Sequence, residues 1–162
     1  MKKLFLAAFA MASIAANTGA QAQTTEKTDS NMQEVYEFLK GCGTYFLATV
    51  EGNQPRVRPF GTVNIFDGKL YIQTGKAKKV AKQIAENPKI EICAFDGKSQ
   101  WIRIQAVAVA DERREAKQSM LDAYPSLQGM YSADDANTLV LYLKDAVAYL
   151  SSISGATKEL KF

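Results

Sequence analysis

QPRVRPFGTVNIFDGKLYIQTGKAKK, residues 54–79, is the stretch that decides the fold. Arg56 and Arg58 stand two apart in a segment that reads as a strand, where side chains at i and i+2 share a face. Both guanidiniums are therefore expected to point at one place. Pro55 and Pro59 put that strand at an edge or a bulge, because proline cannot donate to the ladder. Thr62 to Phe66 reads as the next strand, Asp67-Gly68 as a hairpin turn, and Leu70 to Thr74 as its return. After Gly75, Lys76, Lys78 and Lys79 open a helix with Ala77, Val80, Ala81 and Ile84 inward. Cations at a helix N-terminus oppose the macrodipole, by about 0.3–1 kcal/mol each when exposed. Three of them beside free backbone N–H groups make sense with an anion there. The pattern predicts a phosphate-binding corner in a β-rich protein.

Upstream, Ser30-Asn31-Met32-Gln33 reads as a capping box. The helix behind it carries Val35, Phe38, Leu39 and Cys42 at helical spacing and ends at Gly41 and Gly43. Thr44 to Val50 is aromatic and β-branched, and Glu51-Gly52-Asn53 turns it into the arginine strand. Downstream, the lysine helix stops at Asn87-Pro88. Ile90 to Phe95, a turn at Asp96-Gly97, and Gln100 to Val109 follow. Asp111 is expected to cap a helix with Ala116, Met120 and Tyr124 on one side. Pro125 to Asn137 reads as irregular or short helix. Leu139 to Leu143 and Val147 to Leu150 are apolar, with Lys144-Asp145 between them. Hairpin-length connections without regular strand–helix alternation argue against a doubly wound sheet. The expected class is mainly β (α+β), a six-stranded antiparallel barrel with peripheral helices.

The first 22 of the 162 residues read as a signal peptide: Lys2 and Lys3, an apolar run from Leu4 to Ala16, and Ala20-Gln21-Ala22 as cleavage site. The run is too short to span a bilayer. Residues 23–30 read as a mobile polar leader and residues 31–162 as one domain. The expected location is the periplasm or the exterior, with no stable membrane insertion after cleavage. Loss of Lys2 and Lys3 leaves 18 basic residues against 17 acidic ones. So nearly neutral a chain is not a nucleic-acid binder by charge. Two cysteines, Cys42 and Cys93, are too few for a disulfide framework and read as buried thiols.

The chain has no histidine. That excludes Ser-His-Asp and Cys-His catalysis and removes the commonest zinc ligand and an axial haem histidine. An enzyme of this composition most easily borrows its chemistry from a cofactor. Neither the P-loop spacing nor G-x-G-x-x-G is present, and no carboxylate pair stands out as a metal or glycosidase set. Trp101 reads equally as the flank of a planar ligand or as a core or subunit contact.

At these residues the chain resembles the pyridoxamine 5′-phosphate oxidase-like family, the FMN-binding split β-barrels. The resemblance runs from YFLATVEGNQPRVRPF through LYIQTGKAKKVAKQIAENPKIEI and QWIRIQAVAV to LYLKDAVAYL and the tail KELKF. It implies a split barrel, a homodimer with FMN at its interface, and oxidoreductase activity on a small molecule. By position it implies FMN contacts from Arg56, Val57, Arg58 and Pro59, and from Gln73, Thr74, Lys78 and Lys79. Gly61 stands where the oxidases of the family carry a lysine, and the histidine that the nitroimidazole-reductase branch uses is missing. The resemblance therefore extends to the flavin and not to a named substrate. The alternatives are a non-catalytic flavin-binding or ligand-binding module and a periplasmic electron carrier. For the carrier, Ser154-Gly155-Ala156-Thr157 resembles the core at which flavin transferases attach FMN to threonine, here Thr157; a plain glycine turn is the competing explanation.

Overall fold

The computed structural model describes residues 15–162. The elements run α1 (Ala15–Cys42), β1 (Tyr45–Glu51), β2 (Gln54–Phe60), β3 (Asn64–Phe66), β4 (Lys69–Gly75), α2 (Lys79–Glu86), β5 (Lys89–Phe95), β6 (Gln100–Asp111), α3 (Arg114–Ala123), a 3-10 turn (Pro125–Leu127), β7 (Thr138–Ser152) and β8 (Thr157–Lys161). All the strands pair antiparallel in one sheet of order β2-β1-β5-β6-β7-β4-β3, with β8 added on β7. The mainly β, split-barrel-like class is as the sequence predicts.

The sheet has eight strands where six are expected. The two apolar pieces around Lys144-Asp145 are one strand, β7. Asp145 sits at φ 53, and the ladder shifts from Gln105↔Val147 to Val107↔Lys144, so Asp145 and Ala146 together oppose Ala106. This is a β-bulge, which bends a strand without ending it. Ala146 exchanges both of its backbone bonds with Phe162, at 3.1 Å each. β8 was hidden because only Leu160 of Thr157–Lys161 is buried.

Alternation builds the core. Leu47, Ile72, Ile92, Ile102, Ile104 and Leu141 are all at most 1% exposed and come from five different strands. Each such side chain contributes about 1.5–3 kcal/mol, an upper figure because unfolded chains already bury some surface. Helix α1 lays Met32, Val35 and Leu39 on this core and is tied to β8 by Asn31 Nδ2 donating to the Lys161 carbonyl oxygen (3.0 Å) and by Lys158 to Glu34 (2.6 Å). Gly43, at φ 69, ends it.

Some expectations need correction. The residues read as a mobile leader are helical, since α1 begins at Ala15. Gln33 bonds Glu37 one turn on (3.0 Å) instead of closing a box on Ser30. The export signal read over residues 1–22 lies mostly outside the described residues. Asp111 ends β6 and caps nothing; α3 starts at Arg114. Helix α2 starts at Lys79, so Ala77 is exposed in the turn before it. Both cysteines are free; Cys42 is half-buried, and Cys93 is exposed on the outer face of β5. Among the described residues no helix is long and apolar enough to cross a membrane, and no group of three or more His, Cys, Asp or Glu side chains is placed to hold a metal.

Candidate functional site

The β1–β2 hairpin sets the arginines. Register pairs Thr49 with Arg56 and Leu47 with Arg58, so both arginines share the face of two buried residues, as the spacing predicts. Their partners then differ. Arg56 turns back to Glu51 on the same hairpin, with Nε donating at 2.8 Å and Nη2 at 2.7 Å. That bond with Arg56, followed by Gln83, holds the Glu51 carboxyl below its usual range. Arg58 instead reaches inward to the Leu47 carbonyl oxygen, Thr49 and Gln83, and no carboxylate among the described residues pairs with it. Burial first, then the charge of Arg56, lowers its pKa from the ordinary arginine value. It is a guanidinium short of negative charge.

Arg58 lines a cavity of about 280 Å³ between β2, the end of β4, the start of α2 and the loop after α3. Pro59, Gln73, Thr74 and Lys78 line it too, so five of the eight residues expected at the site converge. Arg56, Val57 and Lys79 are not among the lining residues. Val57 is 64% exposed on the opposite face of β2, and Lys79, exposed at the first turn of α2, adds to the field on Glu51. Lys78 is the N-cap of α2 with no side-chain cap bond, which leaves the first N–H groups of the helix without intrahelical acceptors. Lys76 points elsewhere, to Glu112 at 2.8 Å, and takes no part.

Gln73 decides what the cavity is made for. It is 6% exposed, and neither its amide oxygen nor its amide nitrogen has a partner. Leaving such a group buried and unbonded costs about 1–3 kcal/mol. Whatever occupies the cavity beside it meets it best by offering both a donor and an acceptor. The set could hold a ligand with a polar edge and a phosphate: the amide would face the edge, and Arg58, Lys78 and the α2 start would face the phosphate.

Three further wall residues come from the loop after α3: Leu127, Met130 and Tyr131. The Tyr131 ring centroid is 6.0 Å from Lys78 Nζ, within reach of a cation–π contact. Nothing in local pattern pointed to them. The loop is braced to the β4–α2 turn through Asn137, whose carbonyl oxygen accepts from Lys76 N–H (2.7 Å) and whose Oδ1 accepts from Ala77 N–H (2.9 Å). Thr157 is not among the lining residues; it opens β8, 3.1 Å from Ser151 by their hydroxyls. Trp101 lies half-buried on β6, paired with Phe95.

The family model described as pyridoxamine 5′-phosphate oxidase matches residues 32–148. The chain belongs to the pyridoxamine 5′-phosphate oxidase family. Among solved structures, a NimC/NimA family protein from Clostridium acetobutylicum is 43% identical with a TM-score of 0.83, covering 86% of this chain and 98% of its own. General Stress Protein 26 from Bacillus anthracis is 19% identical at a TM-score of 0.58, covering 85% and 99%. HutZ, the heme storage protein from Vibrio cholerae, is 16% identical at 0.56, covering 80% and 93%. The last two share the fold. No curated protein matches the chain. The matched segment holds all the cavity residues of this family member, from Arg58 to Tyr131.

Proposed function

We propose that the chain is an exported, homodimeric, FMN-binding flavoprotein that acts as an oxidoreductase on a small molecule. The observation that carries this reading is the unpartnered Gln73 amide in one cavity with an arginine that no carboxylate among the described residues pairs. Arg58 and Lys78 would hold the phosphate, with the first N–H groups of α2 behind it. Gln73 and Thr74 would meet the polar edge of the ligand, and Leu127, Met130 and Tyr131 would keep water from its apolar part. Bound there, FMN would supply hydride and electron transfer, which protein side chains do not carry out unaided.

The dimer is supported by two observations. A cavity of about 280 Å³ sits at the bottom of the range that encloses a small ligand. Phe46, Val57 and Phe95 are also more than half exposed on the outer face of the sheet, where a second copy would cover them. Export is supported by the sequence pattern over residues 1–22 alone.

Titration of the purified chain with FMN tests the proposal. The expected result is one FMN per chain with quenched flavin fluorescence, reduction by NAD(P)H or dithionite, and reoxidation by a quinone-like acceptor or oxygen. A chain that stays colourless and leaves FMN fluorescence unchanged refutes flavin binding. Bound flavin that no acceptor reoxidises leaves a binding module. Colour retained in an acid-precipitated pellet identifies covalent attachment. A mature mass beginning near Gln23, on protein recovered from the cell envelope, tests export.

A further inference from the structure

Arg58 is fastened along one side and open along the other. Nη1 gives both of its hydrogens, to the Leu47 carbonyl oxygen at 3.1 Å and to Thr49 Oγ1 at 2.8 Å. Nη2 gives one, to Gln83 Oε1 at 2.6 Å. A guanidinium has five N–H donors in a rigid fork. The two left over, one on Nε and one on Nη2, lie on the same edge. That edge makes the two-point grips seen elsewhere in this molecule: Arg114 takes both oxygens of Asp134 through Nε (2.7 Å) and Nη2 (3.0 Å). On Arg58 it has no protein acceptor among the described residues.

The groups that fasten Arg58 are themselves fixed. Thr49 is 2% exposed and Gln83 is 4% exposed. The Thr49 hydroxyl donates to Gln83 Oε1 at 2.7 Å while its oxygen accepts from Arg58. Gln83 lies on the buried face of α2, the helix capped by Lys78. The same amide oxygen thus ties the arginine to the helix whose start faces the cavity.

We propose that Thr49 and Gln83 are positioning residues that turn the free Nε/Nη2 edge of Arg58 toward a ligand phosphate, so that the site selects FMN over the phosphate-free riboflavin. The inference rests on the flavin reading above. A phosphate monoester offers two oxygens to a planar fork, which a lysine meets only as a point charge. The holders therefore act on the phosphate and leave the ring subsite at Gln73 untouched.

The test measures FMN and riboflavin dissociation constants for the full chain as wild type, Gln83→Leu, Thr49→Val, Thr49→Ser and Arg58→Lys, with melting curves to establish folding. The expected result is a loss of about tenfold in FMN affinity for Gln83→Leu, Thr49→Val and Arg58→Lys, riboflavin affinity within about twofold, and wild-type behaviour for Thr49→Ser. If Gln83→Leu fails to fold, the Thr49→Val and Thr49→Ser pair decides. An unchanged FMN-to-riboflavin ratio in Thr49→Val, or an equal loss of both ligands, overturns the positioning role while leaving flavin binding in place. A wild-type chain that binds neither flavin overturns the flavin reading itself.

Discussion

Gln73 places stability and binding in opposition at a single residue. With no ligand its amide is a buried group without bonds, and replacing it by leucine removes that cost while keeping similar bulk. Gln73→Leu is expected to raise the melting temperature of the ligand-free chain, by an amount equivalent to about 1–2 kcal/mol, and to weaken FMN binding about tenfold or more. Thermal melts with and without FMN read both at once; a variant that loses stability and keeps FMN places the amide in ordinary packing. Asp111 is a residue of the opposite kind, satisfied from all sides. It accepts from Tyr71 Oη (2.8 Å) and from Arg113 through Nη2 (2.8 Å) and the backbone N–H (3.0 Å). Arg113, the largest influence, holds the Asp111 carboxyl down at about 2, while burial first and then Asp111 push Tyr71 up to about 12. A depressed carboxyl contributes stability above its unfolded pKa that is lost as pH falls through the folded value. A raised phenol contributes stability below its unfolded pKa that is lost as pH rises through the folded one. The pair therefore stabilises the fold across the neutral range. It weakens between about pH 4 and pH 2 on the acid side and between about pH 10 and pH 12 on the basic side. Urea melts across pH should show Asp111→Asn about 2 kcal/mol less stable at pH 7 and flatter between pH 4 and pH 2. An unchanged acid limb would place the acid sensitivity in other carboxylates.

At the scale of elements, the loop between β4 and α2 and the loop before β7 behave as one unit. A Cβ on Gly75 would lie 3.0 Å from Asn137 Nδ2 and 3.1 Å from its Oδ1, and Asn137 holds the Lys76 and Ala77 N–H groups. Gly75 is glycine for space, since its φ is not in the left-handed region. Gly75→Ala and Asn137→Ala are each expected to cost about 1–2 kcal/mol. The double variant should cost less than their sum, because the shortened side chain makes room for the new methyl. A double-mutant cycle by chemical denaturation measures the coupling, and strict additivity would separate the loops. This interlock also marks where the sequence stopped being legible. Alternation and turn residues carried the strands: Asp67-Gly68 is a two-residue turn with φ 50 and 65, and Pro55 and Pro59 do sit on β2 at one end of the sheet path. What alternation cannot carry is partner choice. Arg56 and Arg58 are equivalent by spacing, yet one meets Glu51 five positions away and the other Gln83 twenty-five positions away. Gln83 reads as one polar residue on an amphipathic helix, and only the approach of α2 to β1 makes it a holder. Leu127, Met130 and Tyr131 sit in a segment without periodicity, so nothing local announced their place at the cavity. The bulge at Asp145 hid the length of β7 for a related reason: a charged pair between apolar runs reads as a turn until its neighbours are known.

For the whole molecule, the question is what the outer face of the sheet is for. Register puts Val57 opposite Ala48, Pro59 opposite Phe46, Phe46 opposite Cys93 and Phe95 opposite Trp101. The result is a mixed face on which Val57, Phe46 and Phe95 are 64%, 51% and 53% exposed and flank an ion pair between Arg103 and Glu91 (3.0 Å). A sheet edge that carries two prolines is a poor template for strand addition, which favours face-to-face association here. The proposed dimer covers this face, and the cavity meets it at Pro59, which stands opposite Phe46 and also lines the cavity. A glutamate at Val57 or Phe46 would bury an unpaired charge, and in a two-fold dimer each charge is introduced twice. Val57→Glu and Phe46→Glu are therefore expected to give monomers at concentrations where the wild type sediments as a dimer, with the fold intact by circular dichroism. Their FMN affinity should fall together with the dimer fraction, because a shallow cavity in one copy holds the phosphate better than the ring. Sedimentation velocity combined with FMN titration over a range of protein concentrations checks both expectations. A wild-type chain that is monomeric at about 50 μM and still binds FMN tightly would show that this face serves another partner.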